Sequence, residues 1–402
     1  MLTRRIFLRS SAIAVAGFGL TPPWLVRAAA QSGNRRKVLI AIFQRGAADG
    51  LNIAVPFFEK SYYDLRPSIA VAAPGKPNGG IDLDGRFALH PSLQTLKPFW
   101  DTGQLAIIHA SGSPNPSRSH FDAQDYMESG TPGKLSEGGW MNRALPPANS
   151  GVSPLRAIAM GAQLPRTLRG SQTAVAVGNL DQFQVRNQDA AKILEGMYAA
   201  TPDTTLMTSG KETFEAVKFI DTINKRPYTP ANGAQYPGGE FGRGLQQVAK
   251  LIKADAGVEA AFVDIGGWDH HTNEAAQLTQ LLQQFGNSLS AFAKDMGDRM
   301  SDVVLVTMSE FGRTVREDGN GGTDHGHGNV MMVLGGPVAG GKVYGRWPGL
   351  GPEQLFEKRD LAITTDYRDV LSELVARHLG QRPEAAFPGF TPGEPLGLIR
   401  TP

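Results

Sequence analysis

Lys37-Val38-Leu39-Ile40-Ala41-Ile42-Phe43 is apolar at every position after its first, and it closes on Gln44-Arg45-Gly46. A short run of this kind, with no alternation of polar residues, fits a strand buried on both faces of a parallel sheet. Four further runs repeat it: Leu105-Ala106-Ile107-Ile108-His109-Ala110, Ala260-Ala261-Phe262-Val263-Asp264, Val303-Val304-Leu305-Val306-Thr307 and Val330-Met331-Met332-Val333-Leu334. Helical spacing fills the intervals. It is clearest from Glu274 to Arg299, where Leu278, Leu281, Leu282, Phe285, Leu289 and Phe292 recur on one face, and it returns from Asp366 to Leu379. Strands alternating with helices predict an α/β fold: a doubly wound, mainly parallel sheet with helices on both faces. The stretches Ala73 to Phe87 and Arg226 to Gly244 carry Pro and Gly without a period and read as surface loops.

The start of the chain carries an address. Thr3-Arg4-Arg5-Ile6-Phe7-Leu8-Arg9 has the form of a twin-arginine motif, an apolar stretch follows from Ala12 to Leu20, and small residues cluster at Ala28-Ala29-Ala30. That apolar stretch falls short of the roughly 20 residues a membrane-spanning helix needs. Residues 1–30 are therefore expected to be a cleaved export signal, and residues 31–402 a single α/β domain without a transmembrane segment, periplasmic or secreted. The chain of 402 residues has a net charge of +2, which gives no reason to expect nucleic acid or a polybasic lipid contact. With no cysteine, disulfides, zinc–thiolate sites and thiol nucleophiles are all excluded. The same lack removes cysteine-bound iron–sulfur and haem groups and leaves a redox role the weakest reading.

In open α/β sheets ligands bind beyond the carboxyl ends of the strands, and here the unusual polar residues collect after each apolar run. Gly46-Ala47-Ala48-Asp49-Gly50-Leu51-Asn52 follows the first. Ser117-Arg118-Ser119-His120-Phe121-Asp122 comes after the second, and Gly266-Gly267-Trp268-Asp269-His270-His271 after the third. Ser309-Glu310-Phe311-Gly312-Arg313 follows the fourth, and Gly322-Thr323-Asp324-His325-Gly326-His327-Gly328 leads into the fifth. Of eight histidines, five lie in these segments, each close to an aspartate. Imidazole nitrogen with carboxylate oxygen is the donor set that suits zinc, manganese and similar divalent ions. Each cluster alone has a plainer reading. Asp49-Gly50 makes a turn, and Asp269-His270-His271 and Ser119-His120 sit where helix caps are common. Glu310 and Arg313 suit a surface ion pair. Four such clusters on successive strand ends point instead to one site.

Taken in order, Phe43 to Asn52, Ser119-His120-Phe121, Gly266 to His271, Ser309 to Thr314 and Gly322 to Gly326 resemble the bacterial family catalogued as domain of unknown function 1501, over almost all of the mature chain. That family in turn resembles the alkaline phosphatase and sulfatase superfamily. The resemblance implies a divalent metal cofactor and an anionic small-molecule substrate. By position, Asp49 corresponds to the first metal ligand and Ser119 to the nucleophile. Asp269 and His271 correspond to the pair after the third strand, and His325 or His327 to the last histidine ligand. Asp324 and Glu310 complete the candidate ligands. His120, Arg118 and Arg313 join Ser119 as candidate catalytic groups, the arginines as bidentate clamps on substrate oxygens. The chain departs from the superfamily in one place: Ser309-Glu310-Phe311 stands where an Asp-His pair is usual, and Phe311 cannot bind a metal. The expected activity is hydrolysis of phosphate or sulfate esters. The alternative is a non-catalytic protein of the same fold that binds a ligand or an envelope partner.

Overall fold

The computed structural model describes residues 36–133, 136–147, 152–180, 195–197, 200, 204–225 and 227–400. The expected signal segment, residues 1–30, lies outside them. The first apolar run forms β1 (Val38–Gln44). The short strands β2 (Ala54–Val55), β3 (Ile81–Asp82) and β4 (Ala88–Leu89) pair antiparallel in a small separate sheet. The main sheet is completed by β5 (Leu105–Gly112), β6 (Ala157–Met160), β7 (Val175–Val177), β8 (Ala260–Ile265), β9 (Val303–Met308), β10 (Asn329–Gly335), β11 (Val343–Tyr344) and β12 (Thr365–Asp366). Among the described residues its nine strands run in the order β11-β5-β10-β9-β1-β8-β6-β7, with β12 also paired to β5. The pairings of β1 with β8 and β9, of β6 with β7 and β8, and of β5 with β11 and β12 are parallel. Only β10 runs against both of its neighbours, β5 and β9. The mainly parallel α/β sheet expected from the apolar runs is present.

Four helices matter for the site: α1 (His120–Ser129), α2 (Glu240–Lys253), α3 (Glu274–Met296) and α4 (Tyr367–Glu373). Every residue of β1 is buried, and its side chains alternate between two cores. Val38, Ile40 and Ile42 pack under α2 and α3 with Leu245, Val248, Leu278 and Phe285. Leu39, Ala41 and Phe43 pack on the other face with Met127 of α1 and Val370 and Leu371 of α4. Each large aliphatic side chain buried this way contributes about 1.5–3 kcal/mol. Burial on both faces is why these strands carry no polar alternation.

Boundaries differ from expectation in four places, the first being Ala73 to Phe87, expected to be a loop, where Ile81–Asp82 forms β3. The Pro- and Gly-rich stretch expected to be a loop up to Gly244 becomes helical at Glu240, because Phe241, Leu245 and Val248 give its end an apolar face. The helix expected to reach Arg299 ends at Met296, where Gly297 takes φ +51° and a tighter 3-10 turn begins. The helix near the C-terminus passes into a π turn over Leu374–His378.

Candidate metal centre

The carboxyl ends of β1, β5, β8 and β9 and the start of the reversed β10 share one edge of the sheet, and four segments converge there. The first is the start of α1. Ser119 caps this helix, its Oγ accepting from the Asp122 N–H at 3.4 Å, so His120 occupies the first helical position. The second, Trp268 to His271, follows β8 and lies directly against the turn after β1. Gly46 takes φ +117° there, and a Cβ on it would stand 2.7 Å from the Asp269 nitrogen, so only glycine admits the approach. The third and fourth, Ser309 to Thr314 and Thr323 to Gly328, run beside each other. Gly326 N–H donates to Gly312 O at 2.8 Å and Thr314 N–H to Asp324 O at 2.9 Å. Thr323 N–H donates to His270 O at 3.0 Å and so ties the last segment to the second.

Within this frame three imidazoles turn their Nε2 atoms toward one carboxylate. His120 Nε2 lies 3.1 Å from His325 Nε2, and His271 Nε2 lies 3.2 Å from the same atom. Asp269 Oδ1 is 2.9 Å from His271 Nε2 and 3.3 Å from His325 Nε2, while Oδ2 is 3.5 Å from His120 Nε2. The far ring nitrogens fix two tautomers. His325 Nδ1 faces the Arg118 carbonyl at 3.0 Å, and His120 Nδ1 faces Glu310 Oε1 at 2.8 Å. Both partners only accept, so both Nδ1 atoms carry hydrogen and, in the neutral rings, both Nε2 lone pairs point inward. Two lone pairs 3.1 Å apart repel unless a proton or a metal ion lies between them. A tetrahedral ion with bonds of about 2.0–2.1 Å has ligand-to-ligand edges of about 3.3–3.4 Å. The observed separations, 2.9–3.5 Å, bracket that value. Two triads that share His325 have ligand atoms close enough to hold an ion, His120 with Asp269 and His325, and His271 with Asp324 and His325.

The surroundings orient these ligands. Buried Glu310 accepts from His120, from Gln124 Nε2 at 2.9 Å and from the Gly46 N–H at 2.8 Å. Burial raises its carboxyl, but the hydrogen bonds, that of His120 foremost, hold it below the usual range. The bond to Glu310 in turn raises His120, whereas burial lowers His325. Asp269 is held low against its partial burial by Arg313, whose Nη1 donates to Oδ1 at 2.7 Å. Arg313, with its side chain only 1 % exposed, also binds Thr323 through Nε and Nη2. The Phe311 ring packs 5.0 Å from His120 and 5.1 Å from His325.

The remaining candidates are engaged by other partners. Asp49 is buried in an ion pair with Arg66, whose Nη2 stands 3.0 Å from Oδ1. Nearby Glu274, raised well above its usual value by burial and by Asp49, completes a polar cluster outside the imidazole group. His327 is buried, its ring stacked 4.1 Å over Phe356, and burial pushes it down to about 4. Asp324 stands within ligand reach of His271 and His325 but is bound by Arg359 at 2.6 Å. Arg118, expected as a clamp, is occupied by Asp360 and Glu357. His120, expected as a catalytic group, has the geometry of a ligand, and Glu310, expected as a ligand, has that of its orienting partner. Gln124 was not expected at all. It stands one helical turn after His120, and that i,i+4 spacing on α1 is the signal that could have found it.

Fold and site together define an α/β protein with a histidine–aspartate cluster at the carboxyl edge of its sheet. The chain belongs to the family described as protein of unknown function DUF1501, whose model matches residues 36–385. No curated protein matches it. Among solved structures it is similar to a lipoteichoic acid synthase from Listeria monocytogenes, at 8 % identity and TM-score 0.37, covering 92 % of this chain and 77 % of that one. It is also similar to a sulfatase from Pseudoalteromonas sp., at 12 % identity and TM-score 0.35, covering 100 % and 78 %. A third is an alkaline phosphatase from the Antarctic bacterium TAB5, at 11 % identity and TM-score 0.29, covering 76 % and 93 %.

Proposed function

We propose that this protein is a metal-dependent hydrolase of phosphate or sulfate esters that acts outside the cytoplasm. The observation that carries the reading is the approach of the His120 and His271 Nε2 atoms to His325 Nε2, at 3.1 and 3.2 Å, beside Asp269. A divalent ion held by these four residues would supply Lewis acidity and positive charge toward an anionic ester oxygen. The chain's own groups complete the chemistry. Ser119 caps a 10-residue helix next to His120, where first-turn N–H groups favour an anion, and in this reading its hydroxyl would serve as the nucleophile. Glu310 holds the His120 tautomer, and Arg313 holds Asp269. The twin-arginine segment is the reason for placing the reaction in the periplasm or beyond.

The reading is tested on protein purified without chelator, by metal analysis and by hydrolysis of an aryl phosphate, a phosphodiester and an aryl sulfate. About one divalent ion per chain is expected, with turnover on at least one ester. Ser119→Ala should abolish turnover and keep the metal, whereas His271→Ala should lose both. A second reading, a metal-bearing binding protein without turnover, is favoured by one observation: Arg118 and Arg313 are both engaged by protein carboxylates and are not free to clamp a substrate. Bound metal with no hydrolysis of any of the three esters would select it.

A further inference from the structure

A cleft of about 530 Å³ opens between α1, the segment after β6 and the ends of β1 and β8. It is a neighbour of the metal centre, sharing α1 with it: Gln124 lines the cleft and donates to Glu310, the carboxylate that orients His120. Phe121, next in sequence to His120, also lines the cleft and is 90 % exposed, the most exposed large apolar side chain among the described residues. We infer that this cleft binds the organic part of the ester, and that this part is a neutral, polyhydroxylated ring of the sugar type. The inference rests on the hydrolase reading for its link to turnover but not for the binding itself.

The charges of the cleft argue against a second anion. Three arginines line it against four carboxylates, and the best-placed cations are already neutralised. Arg45 binds Asp264 at 2.6 Å and Glu128 at 3.0 Å, and Arg166 binds Asp125. The mixture also argues against a purely apolar group, which would strip water from these charges without replacing its hydrogen bonds. A hydroxyl both donates and accepts, so a ring bearing several can meet Glu240 and Asp264 as donor and Arg169 and Gln163 as acceptor or donor. The C–H face of such a ring is the apolar surface that the Phe121 ring would cover.

The test is saturation-transfer NMR with D-glucose, D-galactose, N-acetyl-D-glucosamine and, as an apolar comparison, benzyl alcohol, each at a concentration of about 10 mM, where weak binding registers. Wild-type protein should transfer saturation to ring protons of at least one sugar. His271→Ala should do the same, although it lacks metal and turnover. Phe121→Ala and Arg169→Ala, both at exposed positions, should weaken the binding about tenfold or more with an unchanged melting temperature. Sugar binding without any ester hydrolysis would keep this inference and remove the hydrolase. Hydrolysis with no binding of any of the three sugars would do the reverse. Binding of benzyl alcohol alone, or sugar binding indifferent to Phe121→Ala, would overturn the inference.

Discussion

Glu310 and Asp269 are both carboxylates beside the same three imidazoles, yet they act differently. Asp269 faces the Nε2 atoms, while Glu310 meets His120 from behind at Nδ1. Asp269→Asn should therefore lower metal affinity by removing a charged ligand. Glu310→Gln should lower it by about 10- to 100-fold through loss of orientation, the usual effect of removing an outer partner. Zinc titration followed by calorimetry separates the two cases from a simple surface pair, which would leave affinity unchanged. Gly326 is a third test. A Cβ there would lie 2.4 Å from the Arg313 backbone, so Gly326→Ala must push the His325 segment off its neighbour. We expect loss of metal binding together with a lower melting temperature. The histidines and aspartates that the structure brings together stood out in the sequence because they follow successive apolar runs, not because any one cluster lacked a plainer reading. The partner of Asp49 was not, since Arg66 looks like any surface arginine until the fold buries it 17 residues away. Nor was the removal of His327, which depends on Phe356 lying over its ring.

At the scale of elements, α1 carries both His120 and Gln124, so its pitch sets the geometry of the centre. Gly130 ends it in the left-handed region at φ +71°, and a Cβ there would meet the Phe387 ring at 2.8 Å and Trp140 Cβ at 2.9 Å. Gly130→Ala should destabilise the protein by more than about 1 kcal/mol, from left-handed backbone strain plus the clash. Urea denaturation would show it as a lower midpoint, and an unchanged midpoint would mean that the helix end gives way easily. The strands buried on both faces were readable from their apolar runs. Ala157–Met160 and Val175–Val177 were not, being only four and three residues long, too short for a pattern to declare itself. The reversal of β10 was also hidden, because an apolar run has no direction.

For the whole molecule, the four proposed ligands come from segments as far apart as His120 and His325, 205 positions along the chain. They assemble only when β5, β8 and β10 are all in place, so an ion bound to them stabilises the entire sheet and not one loop. Zinc at a hundredfold excess over its Kd should raise unfolding free energy by about 2.7 kcal/mol in wild-type protein and by nothing in His325→Ala. Acid should act oppositely. His109 and His378 are buried, contact the Ala54 and Val38 carbonyls, and are pushed by burial down to about 4. The unfolded chain binds their protons near pH 6.5 and the folded chain only near 4, so stability is full above about 6.5 and falls between those limits, by at most about 3 kcal/mol for each histidine. Guanidinium midpoints at several pH values should decline over that window, and His378→Gln should flatten the decline.

The segments around the centre are stitched to one another by main-chain bonds. Trp268 N–H reaches Arg45 O, Thr323 N–H reaches His270 O, and the N–H groups of Asn273, which caps α3, and of Glu274 reach Asn320 O and Gly321 O. None of these links depends on which side chain the residue carries. A scaffold held this way is permissive toward inheritance. A side chain at 269, 271 or 325 can be exchanged without breaking these main-chain bonds, although exchange at 269 also unpairs the buried Arg313. A library randomised at those three positions should consist mostly of folded proteins, few of which still hold the ion.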